Sequence, residues 1–342
     1  MSNYGIVTST YVEKSALAEV ARWNDNLKRH TLYTVCDSLQ DIWGLYKGQR
    51  PVVTGPTPIK LGSTVPYDAA VGAQVSPQLF NWVPVSYPAS YAGLTPQLAD
   101  TWNPKTMSIA QMVTWGATEL KSRIEATPGT FALVGYGVGA MVCSAALQEM
   151  QQQSSSLRSR FTDCIAAVMF SNGCREEYVT YPGGTDPGGA GILPQASTGV
   201  KGMIRNTNTP SWWWEMAAVN DPVANCPIDT SGQVINVVAE ALLNVTGSRD
   251  LMAQLAKTII TLKKTGSTWQ SIAGKLTNKT ANASALTWAQ RVFALNPSPH
   301  NVYSLNTLPS LPTGLPGMKE SSTYLDAAVA YINLRGTTIS PR

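Results

Sequence analysis

The sequence predicts an α/β fold in which helices flank a mostly parallel central sheet. Short apolar runs predict buried strands, longer runs with apolar residues at helical spacing predict helices, and the two kinds alternate along the chain. This alternation is typical of crossover connections, which place parallel strands side by side. The predicted strands cover 31–35, 81–85, 130–134 and 165–170, and the predicted helices cover 16–29, 106–125, 140–153, 284–295 and 323–334.

Local patterns justify each element in chain order. Residues 31–35 are β-branched and aromatic in a run too short for a helix, and the Pro-, Gly- and Ser-rich stretch 44–100 holds one short strand at 81–85. The next helix, 106–125, has a single apolar face. That face consists of Ile109, Met112, Val113, Gly116, Leu120 and Ile124.

The second half of the pattern begins at Pro128-Gly129, which ends this helix before the strand 130–134. A glycine-rich turn then leads directly into the apolar helix 140–153, and 165–170 is the next buried strand. The amphipathic helix 323–334 closes the predicted domain.

The 342 residues divide into a predicted N-terminal arm, 1–30, and one domain, 31–340. Within the domain, 234–290 is predicted to be a helical insertion or a lid over the sheet. The N-terminus lacks the basic and apolar regions of a signal peptide, and no stretch of about 20 apolar residues predicts a membrane span.

Composition narrows the function classes. Hydrophobic residues make up 44% of the chain, whereas charged residues make up only 13%, so the chain is not of the disordered type. So few charges are typical of a secreted surface or of a chain partly buried in an assembly. The net charge is +4 without a dense basic run, which predicts no nucleic-acid partner.

The metal-binding residue types are scarce. The chain has two histidines and five irregularly spaced cysteines, without a CxxC or HxxxH pair. This pattern predicts free thiols rather than a disulfide framework, and it predicts neither a metal site nor a cofactor. The histidines are His30 and His300, and the cysteines are Cys36, Cys143, Cys164, Cys174 and Cys226.

The segment Gly135-Tyr136-Gly137-Val138-Gly139 has the frame of a nucleophile elbow, in which a buried strand turns sharply into a helix. The middle residue of such an elbow is the serine nucleophile of α/β-hydrolases, and here it is Gly137. A glycine-rich turn between any strand and helix is the alternative interpretation.

Two later residues favour the elbow interpretation. Asp221 follows an apolar run and His300 lies in a Pro-flanked loop before the last helix, so the chain order is elbow, Asp, His, as in α/β-hydrolase triads. Taken singly, Asp221 is also typical of an Asx turn before Pro222, and His300 of a surface loop. Together with Gly137 they predict a vestigial triad on an α/β-hydrolase fold.

Several segments resemble the lysin B proteins of mycobacteriophages, a family close to the cutinases. The elbow strand and its turn carry the resemblance most clearly, and it covers roughly residues 30–335. It implies an α/β-hydrolase core with a helical insertion, and its active members are serine esterases that release mycolic acids from mycolyl-arabinogalactan. The matching segments are Tyr33–Val35, Asn81–Val85, Tyr87–Ala89, Phe131–Ala140, Ser171–Glu177 and Asp186–Ile192.

The chain departs from that family at two places. The serine position holds Gly137, and the loop where the family carries a His-Gly-Thr-like oxyanion segment reads Cys36-Asp37-Ser38. Val138 stands where the residue after the nucleophile donates a backbone N–H to the oxyanion. An acid such as Asp37 would oppose the charge that an oxyanion hole stabilises.

These departures predict a catalytically inactive lysin B-like domain that serves as a phage virion component, in a minor capsid, decoration or tail position, with other phage structural proteins as partners. One alternative is an active mycolyl-arabinogalactan esterase with a relocated nucleophile, Cys36 or Ser38, which would pass from the host cytoplasm to the cell envelope at lysis. Another is a module that binds mycobacterial cell-wall lipid without cleaving it. Tryptophans 212–214 are predicted equally to be core or lid packing and interface anchors.

Overall fold

The structure is a computed structural model, and it describes residues 28–36, 67–85, 87, 108–195, 203–219, 221–229, 232, 235–236, 239–240, 243–244, 303 and 307–342. Most of the predicted arm 1–30 and of the predicted insertion 234–290 lies outside these residues, as do the predicted helix 284–295 and all but the last two residues of the predicted helix 16–29. Asp37, Ser38 and His300 also lie outside them.

The centre of the fold is a parallel sheet of five strands in the order β2-β1-β3-β4-β5. Four of its strands, β1, β3, β4 and β5, are buried along their whole length, as expected when helices cover both faces of a sheet. The strands are β1 (His30–Val35), β2 (Phe80–Val85), β3 (Phe131–Tyr136), β4 (Cys164–Phe170) and β5 (Trp213–Met216).

Several α-helices and a 3₁₀ helix accompany the sheet in the part of the chain that the structure describes. They are α1 (Tyr67–Gln74), α2 (Ile109–Ala126), α3 (Val138–Gln151), the 3₁₀ helix Ser156–Asp163 and α4 (Tyr324–Thr338). Two of the helices begin with a capping box, in which the Ser108 side chain accepts from the Gln111 N–H and Thr323 accepts from the Asp326 N–H.

The helices form a layer on each face of the sheet. On one face α2 and α3 pack against the sheet through residues such as Met112, Leu120 and Leu147. On the other face α1 and α4 pack through residues such as Val71 and Leu325. The result is the predicted α/β fold with a parallel central sheet flanked by helices.

The strand order reverses between β1 and β3. From β1 the chain crosses to β2 on one side, whereas β3 is followed by β4 and then β5 on the other side. At such a switch point the loops after the two central strands diverge and leave a crevice at the carboxyl edge of the sheet, where α/β proteins bind their ligands. Cys36 follows β1 and Gly137 follows β3, so both lie at this crevice.

The described helices include none that is long and apolar enough to cross a membrane.

The histidine of β1 has a structural role. The His30 ring is buried, with Nδ1 2.7 Å from Thr130 Oγ1 and Nε2 3.1 Å from the carbonyl oxygen of Gly336. Burial lowers the pKa of His30, which favours the neutral ring. His30 therefore connects β1 to β3 and α4 from within the core.

Candidate functional site

The turn between β3 and α3 has the geometry of an elbow. Gly137 stands alone between the strand and the helix, with φ 56° and ψ −117°, a combination that side chains rarely adopt. Its N–H donates to the carbonyl oxygen of Phe170 at 3.0 Å, and its carbonyl oxygen accepts from the N–H groups of Ala140 and Met141. The turn is thereby held between the carboxyl end of β4 and the first turn of α3.

The two flanking glycines are required by close approach of the backbone. A Cβ on Gly139 would lie 2.2 Å from the carbonyl oxygen of Val35 and 2.4 Å from that of Cys36. A Cβ on Gly135 would lie 2.7 Å from the Cα of Ala140. The spacing of the two glycines thus has a steric cause. The start of α3 packs directly against the end of β1, and the end of β3 packs directly against the start of α3.

Gly137 occupies the position that presents the nucleophile in an elbow, and it brings no side-chain atom there. Val138 follows as the first residue of α3 and is almost fully buried. Cys36 is completely buried in the apolar core, with its carbonyl oxygen accepting from the Tyr87 hydroxyl at 2.8 Å. The described part of the crevice therefore contains no exposed nucleophile at the end of β1 or at the elbow.

Asp221 lies after β5 and its carboxyl group is completely buried. Its Oδ1 accepts from the Val223 N–H at 2.9 Å, which is an Asx turn of the kind that the sequence also allowed. Its Oδ2 accepts a short hydrogen bond from the hydroxyl of Tyr303. Asp221 thus serves the local turn with one oxygen and a distant residue with the other.

Tyr303 is a site residue that the sequence analysis missed. Its hydroxyl donates to Asp221 and accepts from the Ala218 N–H at 3.2 Å, and its ring contacts Phe170 edge to face at 5.7 Å. Burial and the neighbouring Asp221 carboxylate raise the pKa of Tyr303 well above its ordinary value, so the hydroxyl stays protonated. No motif surrounds this tyrosine in the sequence, and its position three residues after His300 is the one signal that pointed to it.

Gly137, Phe170, Tyr303 and Asp221 therefore form a continuous set of contacts at the carboxyl edge of the sheet. The structure brings the predicted positions 137 and 221 to the same edge, together with Cys36 and Val138. The roles predicted for them as parts of a vestigial triad and oxyanion loop stay predictions, because Asp37, Ser38 and His300 lie outside the described residues.

A buried arginine organises the loops beside Asp221. The Arg175 guanidinium is fully buried, and it donates to the carbonyl oxygens of Ala224 at 2.6 Å, Val179 at 3.0 Å and Gly189 at 2.8 Å. Its Nη1 also lies 3.5 Å from the Asp186 carboxylate. One side chain thus joins the loop after β4 to the loop that carries Asp221.

The residue that follows β4 is strained. Ser171 has φ 52°, although it is not a glycine, and it is completely buried. Its N–H donates to the carbonyl oxygen of Met216 at 3.2 Å, so it lies between the ends of β4 and β5. Strain of this kind is concentrated at functional sites, and a sequence pattern does not reveal it.

A second polar cluster lies beneath the site. The Glu215 carboxyl is buried on β5, where Oε1 accepts from Trp213 Nε1 at 2.7 Å and from Asn172 Nδ2 at 2.8 Å. Asn172 also donates to Ser144 Oγ on α3 at 2.9 Å. Burial is the main cause that raises the pKa of Glu215 from 4.5 to about 7, against the opposing effect of these hydrogen bonds.

This shift predicts a pH dependence of folding stability. A carboxyl group whose pKa is raised in the folded state stabilises fully below its unfolded value of 4.5, and this contribution is lost as the pH rises through about 7. At 1.36 kcal/mol per pKa unit the loss is about 3 kcal/mol. We expect Glu215→Gln to remove this part of the pH dependence, measured as the free energy of unfolding in urea between pH 4 and pH 9. Equal slopes in the two proteins would contradict the prediction.

The described residues hold no group of three or more His, Cys, Asp or Glu side chains placed to bind a metal ion. All five cysteines are buried, and none forms a disulfide bond. Burial raises the pKa of the Cys226 thiol to about 12, and it also raises the pKa values of the Cys164 and Cys174 thiols. These three thiols stay protonated near neutral pH and are poor nucleophiles.

No family model matches the chain, and no curated protein matches it. Among solved structures, lysin B from Mycobacteriophage D29 is 17% identical, with a TM-score of 0.45 over 77% of this chain and 90% of that one. An acetylxylan esterase is 14% identical, with a TM-score of 0.35 over 69% and 98%. A cutinase-like protein from Cryptococcus sp. is 15% identical, with a TM-score of 0.35 over 64% and 96%.

At these identities the similarity extends no activity or substrate to this chain. The fold class rests on the chain's own architecture, in which a five-stranded parallel sheet, helices on both faces and an elbow after the central strand β3 occur together. That combination is the α/β-hydrolase fold.

Proposed function

We propose that this protein is a non-catalytic α/β-hydrolase-type domain. The observation that carries the proposal is Gly137, which occupies the elbow position with φ 56° and ψ −117° and has no hydroxyl or thiol to offer. Acyl transfer by this fold needs a nucleophile at that point, and losing a triad member removes several orders of magnitude of rate.

The burial of Cys36 supports the same proposal. A thiol replacing the serine would have to reach a substrate from the crevice, whereas Cys36 is completely buried among apolar side chains. Position 137 also favours glycine physically, because glycine adopts a positive φ without the cost of about 1–3 kcal/mol that a serine incurs in such a conformation. The fold is thereby retained without the strain of a working elbow.

Restoring the hydroxyl tests whether the nucleophile is the one missing part. We expect Gly137→Ser to hydrolyse short p-nitrophenyl esters no faster than buffer, or very weakly, because Cys36-Asp37-Ser38 replaces the oxyanion segment expected there. A lost oxyanion contact alone costs roughly 10²–10³-fold in kcat.

Gly137→Ala is the matched control, since it carries the same backbone strain without the hydroxyl. Turnover by Gly137→Ser that clearly exceeds the rate of Gly137→Ala would show that the oxyanion contacts are intact. The prediction for the serine variant would then be wrong, and the missing side chain at position 137 would alone account for the absence of hydrolysis.

We further propose that the domain serves as a component of a phage particle. The support is the resemblance to the lysin B proteins combined with a charged fraction of only 13%, about half the usual value, which suits a chain that is partly buried in an assembly. Large exposed side chains such as Trp115, 49% exposed, and Tyr178, 70% exposed, are of the type enriched at protein interfaces.

Mass spectrometry of purified particles tests this placement. We expect the protein to be present at high copy number in particles purified on a density gradient. Its absence from particles combined with its presence in lysates would contradict a particle role and favour a role at lysis.

A further inference from the structure

A cleft of about 240 Å³ opens at the far edge of the sheet from the elbow. Trp212 and Trp214 line it at the amino end of β5, and Tyr331 and Arg335 line it from α4. Arg335 Nε donates to the carbonyl oxygen of Ile165 at 2.8 Å, near the amino end of β4. At ~3.3 Å per strand residue, β4 alone separates this point from the elbow by roughly 16 Å.

The aromatic wall of the cleft is rigid. Trp214 and Tyr331 stack with their ring centroids 3.6 Å apart and their planes 11° apart, and the Tyr331 hydroxyl donates to the carbonyl oxygen of Trp212 at 2.9 Å. Trp212 is half-buried and contacts Phe161 edge to face. A flat apolar body can lie against such a wall without ordering any side chain, which keeps the entropic cost of binding low.

The charge in the cleft is unbalanced. Arg335 is the one charged residue among the ten that line it, and the others are aromatic, aliphatic, hydroxyl-bearing or glycine. Within the described residues Nη1 and Nη2 of Arg335 make no hydrogen bond or ion pair, whereas Asp163 nearby is already paired with Arg160 at 2.8 Å. The backbone contact of Nε holds the guanidinium in place and leaves its outer edge for an acceptor.

We propose that this cleft binds a small carboxylate that carries an aromatic ring. The carboxylate would accept from Nη1 and Nη2 of Arg335 in a two-point contact, and the ring would lie against Trp212, the half-buried part of the aromatic wall. The hydroxyls of Ser211 and Thr313, which also line the cleft, supply further donors at its mouth. This site is independent of the elbow and of the proposed loss of catalysis.

The test is a titration of the full-length, ¹⁵N-labelled protein with phenylacetate, followed through the indole N–H signals of Trp212 and Trp214 in NMR spectra. We expect saturable shifts with a Kd of roughly 1 mM, typical of a ligand this small. Phenylacetamide, which has the same shape without the charge, should bind at least ~10-fold more weakly, because it cannot accept the charge-assisted pair.

Arg335→Gln should weaken phenylacetate binding at least ~10-fold, whereas Arg123→Gln on α2, on the other face of the sheet, should leave it unchanged. Ser211 is exposed at the mouth of the cleft, and Ser211→Trp should block binding by filling the cleft. This variant tests whether phenylacetate binds in the cleft if Arg335→Gln fails to fold. Equal binding of phenylacetate and phenylacetamide, unchanged binding by Arg335→Gln or Ser211→Trp, or shifts that do not saturate would each overturn the proposal.

Discussion

Replacing Gly139 with alanine is expected to destabilise the protein by at least about 4 kcal/mol, enough to prevent accumulation of folded protein. The added Cβ would lie 2.2 Å from the carbonyl oxygen of Val35 and 2.4 Å from that of Cys36. Both oxygens belong to the backbone at the end of the central strand β1, so neither can turn away as a side chain would. Relief requires α3 to move off the sheet, which would break the packing of its buried face.

Gly314→Ala is the matched control for this substitution. Gly314 has φ +77° and open space around its would-be Cβ, so alanine there incurs only the conformational cost of about 1–2 kcal/mol. The yield of soluble protein and the midpoint of urea unfolding, compared for the two variants, check the prediction. A Gly139→Ala protein as stable as Gly314→Ala would show that α3 does not start against β1 as described.

Arg175→Met is expected to have the second largest effect, a loss of about 3–5 kcal/mol in the free energy of unfolding. The substitution removes the donor from three carbonyl oxygens, that of the buried Ala224 and those of the half-buried Val179 and Gly189. It also separates the loop after β4 from the loop that carries Asp221. Amide hydrogen exchange should therefore quicken in both loops before it quickens in the sheet.

Arg123→Met provides the comparison for losing an arginine at the surface. Arg123 pairs with Glu119 one turn away on α2 and is about one-third exposed, so its loss should cost no more than about 1 kcal/mol. Urea unfolding of both variants at the same pH measures the difference. Similar stabilities would contradict the structural role assigned to Arg175.

The parts of the fold predicted from sequence are those specified by local pattern. The four predicted strands each begin within one residue of the predicted start, and all but β3, which ends two residues later, end at the predicted residue. Continuous apolar runs of this length have few other uses. The elbow was recognisable for a similar reason. Gly135 and Gly139 occur there because no larger residue fits, so their spacing records the close approach of strand and helix.

The fifth strand was missed because its residues depend on distant partners. Trp213 and Trp214 proved to be buried residues of β5, so for them the core interpretation is correct. Glu215 interrupts the apolar pattern, and its burial is compensated by Asn172 after β4 and by Trp213 itself. A pairing across 43 residues of sequence leaves no local trace.

Helix α1 was missed for a related reason. Gly72 lies within Tyr67–Gln74, and a glycine inside a short helix argues against that helix. The structure explains it, because a Cβ on Gly72 would lie 2.3 Å from Cε2 of Trp82 on β2. Gly72 is therefore required by the packing of Trp82, a residue on another element, and the sequence of the helix itself does not show this requirement. Tyr303 escaped notice in the same way, since its partner Asp221 is 82 residues away.

The central claim is the absence of catalysis, and the most direct measurement is hydrolysis of p-nitrophenyl butyrate by the unmodified full-length protein. We predict a rate indistinguishable from buffer at every protein concentration, because Gly137 offers no nucleophile at the elbow. His300→Ala, measured beside it, should show the same background. A rate that rises with protein concentration and disappears in His300→Ala would contradict the account and bring Cys36 or Ser38 forward as the nucleophile.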